Sequence, residues 1–160
     1  MHGLVTGDRS RGQSLVEFAL VMPIIILLLL GILDLGRGVF AYNTLAEAAR
    51  QANRLAIVDQ DAGRVQAEAV AYAPAVGLTA GDVAVCFKTS GSTQRSCQSP
   101  STNNCGTAVQ IGCLAIVTTR TTFTPVAPLI SLFIPSIQIS STSIGPVEHV
   151  CPTSTKFTCP

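Results

Sequence analysis

The chain has 160 residues, enough for one small folded domain beside a membrane segment and too few for a second core. Charged residues make up only 12% of it and the mean hydropathy is +0.47, so much of the apolar content must face lipid or other subunits. A formal net charge of +1, ten Lys and Arg, and no aromatic platform exclude nucleic acid as a partner.

The first element is an apolar run. Residues 18–33 are all apolar, Pro or Gly, and Leu15 and Val16 extend the run across Glu17. At 1.5 Å per residue, 15–33 makes roughly 28 Å of helix, enough for a hydrocarbon core of about 30 Å. Arg9, Arg11 and the terminal amine precede it, while Asp34 and Arg37 cancel after it, so the positive-inside rule puts the N-terminus in the cytoplasm. A cleaved secretory signal is disfavoured, because 31–38 offers no small-residue cleavage pattern. A soluble core helix is disfavoured too, because the run has no wet face. Asp34 and Arg37, one turn apart at the outer boundary, read as an exposed pair that stops the span.

Glu17 has two readings. An ionisable group within an apolar helix is costly and ordinarily has a functional partner. Alternatively, one turn deeper than Ser14, its carboxylate could snorkel to the headgroups. Pro23 removes an amide from the helix ladder and predicts a kink or a locally open turn, which membrane helices also tolerate without function.

Beyond the span, Leu45, Ala48, Ala49, Ala52, Leu55 and Ala56 recur at three- and four-residue spacing. Asn43, Glu47, Arg50, Gln51 and Arg54 take the other face. Ala48, Ala52 and Ala56 form a small-residue ridge that admits another backbone, either the chain's own sheet or a partner helix. Polar residues 59–63 predict a break. Ala62, Val65, Ala69, Tyr72 and Ala73 then form a second stripe, ended by Pro74 and Gly77.

Three strands are predicted, over 83–87, 113–123 and 137–144, from Val, Ile and Thr content and alternation. Helix followed by strands means an α+β layer, with a long N-terminal helix packed on a small antiparallel sheet of about three strands. Residues 88–112 form a long Ser/Thr/Asn/Gly loop that must be pinned or functional. Residues 126–134 are apolar but interrupted by Pro, so they predict an exposed connection or sheet edge, not a second span.

All six cysteines, Cys86, Cys97, Cys105, Cys113, Cys151 and Cys159, follow the span, on the side predicted to be oxidising. There is no C-x-x-C pair, and His149 is the one His beyond the N-terminus, so disulfides are expected over a metal site. The preferred pairing brackets the loop: Cys86 with Cys113, Cys97 with Cys105, and Cys151 with Cys159. The alternative joins Cys86 to Cys97 and Cys105 to Cys113. No catalytic constellation and no cofactor motif is present in the sequence.

One stretch resembles a known family. Gly12 stands immediately before the apolar helix, Glu17 is the fifth residue after it, and Phe18 follows. This resembles the prepilin-peptidase site of type IV pilin-like proteins, in the variant of the tight-adherence (Tad/Flp) systems. With Glu17-Phe18-Ala19-Leu20, Pro23, Gly31, Leu35-Gly36-Arg37 and the run from Ala48 to Arg54, residues 12–54 resemble the TadE-like minor pilins, or pseudopilins. The resemblance implies cleavage after Gly12 by a membrane prepilin peptidase, with Gln13 as the new N-terminus. It also implies assembly with other pilin-like subunits and an inner-membrane platform through Glu17, Phe18 and Pro23, in support of pilus biogenesis, adhesion or secretion. The resulting organisation is a cytoplasmic leader (1–12), a transmembrane helix (13–35), an amphipathic helical region (36–76) and an extracytoplasmic cysteine-rich domain (77–160). The chain would sit in the bacterial inner membrane and would not be an enzyme. An uncleaved anchored protein whose disulfide loop is a binding module is the rival of a different class, and a membrane-tethered enzyme is a third.

Overall fold

The helical pattern runs past the apolar stretch without a stop signal, and in the computed structural model the first helix, α1, spans Arg9–Ala56. Residues 9–98, 102–106, 108–127, 131–132 and 135–150 are described. They belong to two compact units: Met1–Arg37 with Thr124–Pro135, and Gly38–Phe123 with Ser136–Pro160.

In the first unit, α1 continues through Pro23 as one helix. Its large apolar side chains, among them Leu15, Phe18, Leu20, Ile24, Leu28 and Leu33, are exposed all around the axis. A helix apolar on every side has no use in water, and this one is long enough to cross a membrane. Asp34 is the exception, at 6% exposure. Its carboxylate accepts hydrogen bonds from the backbone N–H of Val126 (3.1 and 3.0 Å to the two oxygens) and of Ala127 (2.7 Å), and faces Arg37 at 3.5 Å. The exposed boundary pair expected there is corrected: Asp34 is buried, and its shortest bonds go to amides more than 90 residues away. Val126 and Ala127, which supply them, lie in the connection between two strands.

In the second unit, the remainder of α1 lays Ala41, Leu45, Ala48, Ala49, Ala52 and Ala56 into the core. These small side chains let the strands approach closely. The Thr119 hydroxyl donates to the Leu45 carbonyl (3.1 Å), and Gly145 lies so near that an added Cβ would stand 2.8 Å from Asn53 Nδ2. The alanine ridge therefore packs against the chain's own sheet. Asn43, Glu47, Arg50 and Arg54 remain outside.

The break falls where the polar run predicts it. Asp61 caps the next helix, α2 (Ala62–Ala71), by accepting from the N–H of Gly63 (2.8 Å) and Arg64 (3.2 Å). Asp59 is buried and pairs with Arg64 at 3.0 Å. Val65, Ala69 and Ala73 fill the core as predicted, but Tyr72 caps the helix and stays 48% exposed. A turn of 3-10 helix at Pro74–Val76 ends at Gly77 in the left-handed region (φ 63°).

Among the described residues four strands form one sheet: β1 (Val83–Lys88), β2 (Thr102–Asn104), β3 (Leu114–Phe123) and β4 (Ile137–Pro146), in the order β2-β1-β3-β4. The three predicted strands pair antiparallel, β1 with β3 and β3 with β4. The fold is thus α+β. The short β2 adds a parallel edge to β1, inside the segment expected to be loop throughout. On β1, Val83, Val85 and Phe87 face the helices, and Ala84 and Cys86 face a smaller cluster with Ile116 and Cys97.

The disulfides follow from that register. Cys86 is joined to Cys97 and Cys105 to Cys113, with Cα separations of 5.9 and 6.1 Å. The bracketing pairing is corrected. Cys86 lies opposite Ile116, so Cys113 is three residues, about 10 Å, further along the ladder, beyond disulfide reach. Cys86 also faces the smaller cluster, whereas Cys105 and Cys113 pack in the main core on the other side. The pairing of Cys151 with Cys159 lies outside the described residues.

Candidate processing and assembly site

Gly12, Gln13, Glu17 and Phe18 occupy the first turns of α1, all exposed. A Cβ at Gly12 would meet nothing. Gln13 and Glu17 are four residues apart and share one helix face, so a charge at residue 13 and a carboxylate at residue 17 lie one turn from each other. Pro23, six residues beyond Glu17, is also exposed.

The two acidic groups of the apolar stretch differ sharply. They are 17 positions apart, about 26 Å of helix, close to the thickness of a hydrocarbon core. Asp34 has its acceptor capacity filled from within the chain. Glu17 has no ion-pair partner among the described residues, and its neighbours one turn on, Leu20 and Val21, are exposed and apolar. An ionisable group within an apolar helix ordinarily has a partner.

The four described cysteines form the two disulfides, and no group of three or more His, Cys, Asp or Glu able to hold a metal occurs among the described residues. Arg64 serves Asp59 and Asp61 at the start of α2. Arg120 donates to the Cys97 carbonyl (2.6 Å), and the N–H of Cys97 donates to the Thr118 hydroxyl (3.0 Å), which tie the disulfide loop to β3. The role of Asp34 is the one that sequence reasoning missed. An ionisable residue at the end of an apolar helix is a signal, but its partners lie too far along the chain to be named from sequence.

Residues 12–54 match the TadE-like protein family. The matched residues take in the apolar run and, from the buried alanine ridge of α1, Ala48 and Ala52. No curated protein and no solved structure matches the chain. The matched segment contains the exposed apolar helix that is long enough to cross a membrane.

Proposed function

We propose that the chain is a minor pilin, or pseudopilin, of a Tad-type pilus assembly or secretion machinery, cut after Gly12 by a prepilin peptidase. It is anchored once in the inner membrane, with residues 1–12 in the cytoplasm and the disulfide-stapled domain outside. Its partners are other pilin-like subunits, the inner-membrane assembly platform and the bilayer, and it supports pilus biogenesis and adhesion. The observation that carries this reading is Glu17, an exposed carboxylate in the TadE-like helix with no ion-pair partner among the described residues.

Cleavage would leave an amine on Gln13 at the membrane edge. Alone, each charge is costly beside lipid; side by side on neighbouring helices, each offsets the other's desolvation. The arrangement favours assembled subunits over isolated ones. Gly12 suits the cut because it adds no side chain and holds its turn of helix weakly, so the segment can unwind into a peptidase.

The test is the N-terminus of the mature protein from cells that contain the peptidase. Sequencing should begin at Gln13, and Gly12→Leu should leave a full-length form. A mature protein that keeps residues 1–12, or a Gly12→Leu variant processed normally, overturns the pilin reading in favour of an uncleaved anchored module.

A further inference from the structure

Residues 124–135 connect β3 to β4, yet they belong to the unit that contains the apolar helix and not to the one that contains the sheet. Their sequence, Thr-Pro-Val-Ala-Pro-Leu-Ile-Ser-Leu-Phe-Ile-Pro, has no charged residue. Val126 is 65% exposed and Leu132 75%. Ala127, between them, is buried, and both its N–H and that of Val126 end on Asp34.

We propose that the described residues of this connection, Val126, Ala127, Ser131 and Leu132, are a second membrane-contacting element, pinned by Asp34 to the outer end of the span and seated in the interfacial layer of the same bilayer. The proposal rests on α1 being the membrane span. Three observations carry it. First, Asp34 lies about 26 Å along the helix from Glu17, where the hydrocarbon core gives way to headgroups, so whatever it binds is held at that depth. Second, irregular backbone near lipid needs its polar groups satisfied. Here the Asp34 carboxylate takes two amides, and the Ala127 carbonyl accepts the N–H of Ser131 at 2.9 Å. Third, the exposed Val126 and Leu132 extend the lipid-facing surface of the helix within one compact unit. With three prolines the segment is too short and too broken to cross the membrane. It is suited to lie on it. The loop and the helix would then give the chain two points of hold on the bilayer, which limits how the anchor can rotate about its own axis.

The chain has no Trp, so single reporters can be placed in the full-length protein. Ile24→Trp reports the span, and Val126→Trp and Leu132→Trp each report the loop. Every variant is reconstituted in phosphatidylcholine/phosphatidylglycerol vesicles, with lipids brominated either near the headgroup or near the chain ends. Ile24→Trp should lose emission most to the deep bromines. The loop reporters should lose it most to the shallow bromines and be shielded from acrylamide. With Asp34→Ala, shallow quenching of the loop reporters should fall while Ile24→Trp is unaffected.

If Ile24→Trp is quenched but both loop reporters are open to acrylamide and blind to brominated lipid, the loop proposal is overturned and the span stands. Loop reporters shielded from acrylamide yet blind to brominated lipid would place a protein partner there and overturn it equally. Unchanged loop quenching with Asp34→Ala would overturn the pinning. An unquenched Ile24→Trp would remove the span and the proposal together.

Discussion

Which cysteines are joined can be decided by stability and thiol counts in the same set of variants. The Cys86–Cys97 bridge closes a loop of sequence separation 11, and Cys105–Cys113 one of 8. Chain-entropy closure of loops that short corresponds to about 2.8 and about 2.5 kcal/mol of stabilisation at 25 °C. The matched double variant Cys86→Ala/Cys97→Ala should therefore lose about 2.8 kcal/mol and leave Cys105 and Cys113 resistant to alkylation. The crossed variant Cys86→Ala/Cys113→Ala breaks both bridges. It should lose about 5 kcal/mol if the terms add, and should expose Cys97 and Cys105 as thiols. Unfolding by urea is followed in the full-length, detergent-solubilised protein by tyrosine fluorescence, since Tyr42 and Tyr72 both lie in the unit that holds the sheet. Alkylation is read by mass spectrometry under denaturing, non-reducing conditions. If the crossed variant is instead the milder one and keeps its thiols blocked, the bracketing pairing is right, and the register argument from Cys86 opposite Ile116 fails.

Three other outcomes are expected. Gly145→Ala puts a methyl 2.8 Å from Asn53 Nδ2 and 3.1 Å from Ile57 Cγ2, and should cost about 1–3 kcal/mol in the same urea assay, because buried Asn53 has little room to withdraw. Asp59→Ala removes the acceptor for Arg64 and for the Asp61 amide, and should cost about 1–3 kcal/mol, with half-exposed Arg64 keeping its hydration and holding the loss to that range. Glu17→Gln should lower crosslinking between subunits in the membrane, by an equilibrium change of about 1–3 kcal/mol, with insertion and processing intact on the same gel; equal crosslinking in both would leave Glu17 as a snorkelling boundary residue.

The parts of the fold that were legible are those in which local pattern and burial agree. Leu45, Ala48, Ala52 and Ala56 announce a buried face by spacing alone, and Val65 and Ala69 do so for α2, because a helix buries what its period aligns. Tyr72 continues that spacing but lies at the cap, where the chain turns and the period no longer decides direction. The strand at Thr102–Asn104 carries no Val, Ile or aromatic residue. It pairs because the edge of β1 offers it a partner and the Cys86–Cys97 bridge shortens the crossover, and neither fact is local. Cysteine connectivity failed for the same reason. Bracketing a loop treats the chain as a string, whereas reach is set by register across β1 and β3 and by which face of the sheet each sulfur occupies.

Glu17 and Asp34 show how the same limit bears on function. By sequence both are acidic residues in or beside an apolar helix, and each invites a partner. The fold distinguishes them by supply. Asp34 receives two amides from the loop after β3 and an arginine one turn away, so it is committed within the chain. The alanine ridge is committed too, since Ala48, Ala52 and Ala56 are wholly buried. Even the polar face of α1 is partly self-paired, with Glu47 engaged by Arg50 and Gln51. Glu17, exposed in the first turns and with no ion-pair partner among the described residues, is not committed in this way. In the proposed assembly, pairing between subunits would run through that end of the helix, and this is why Glu17→Gln is expected to separate assembly from insertion.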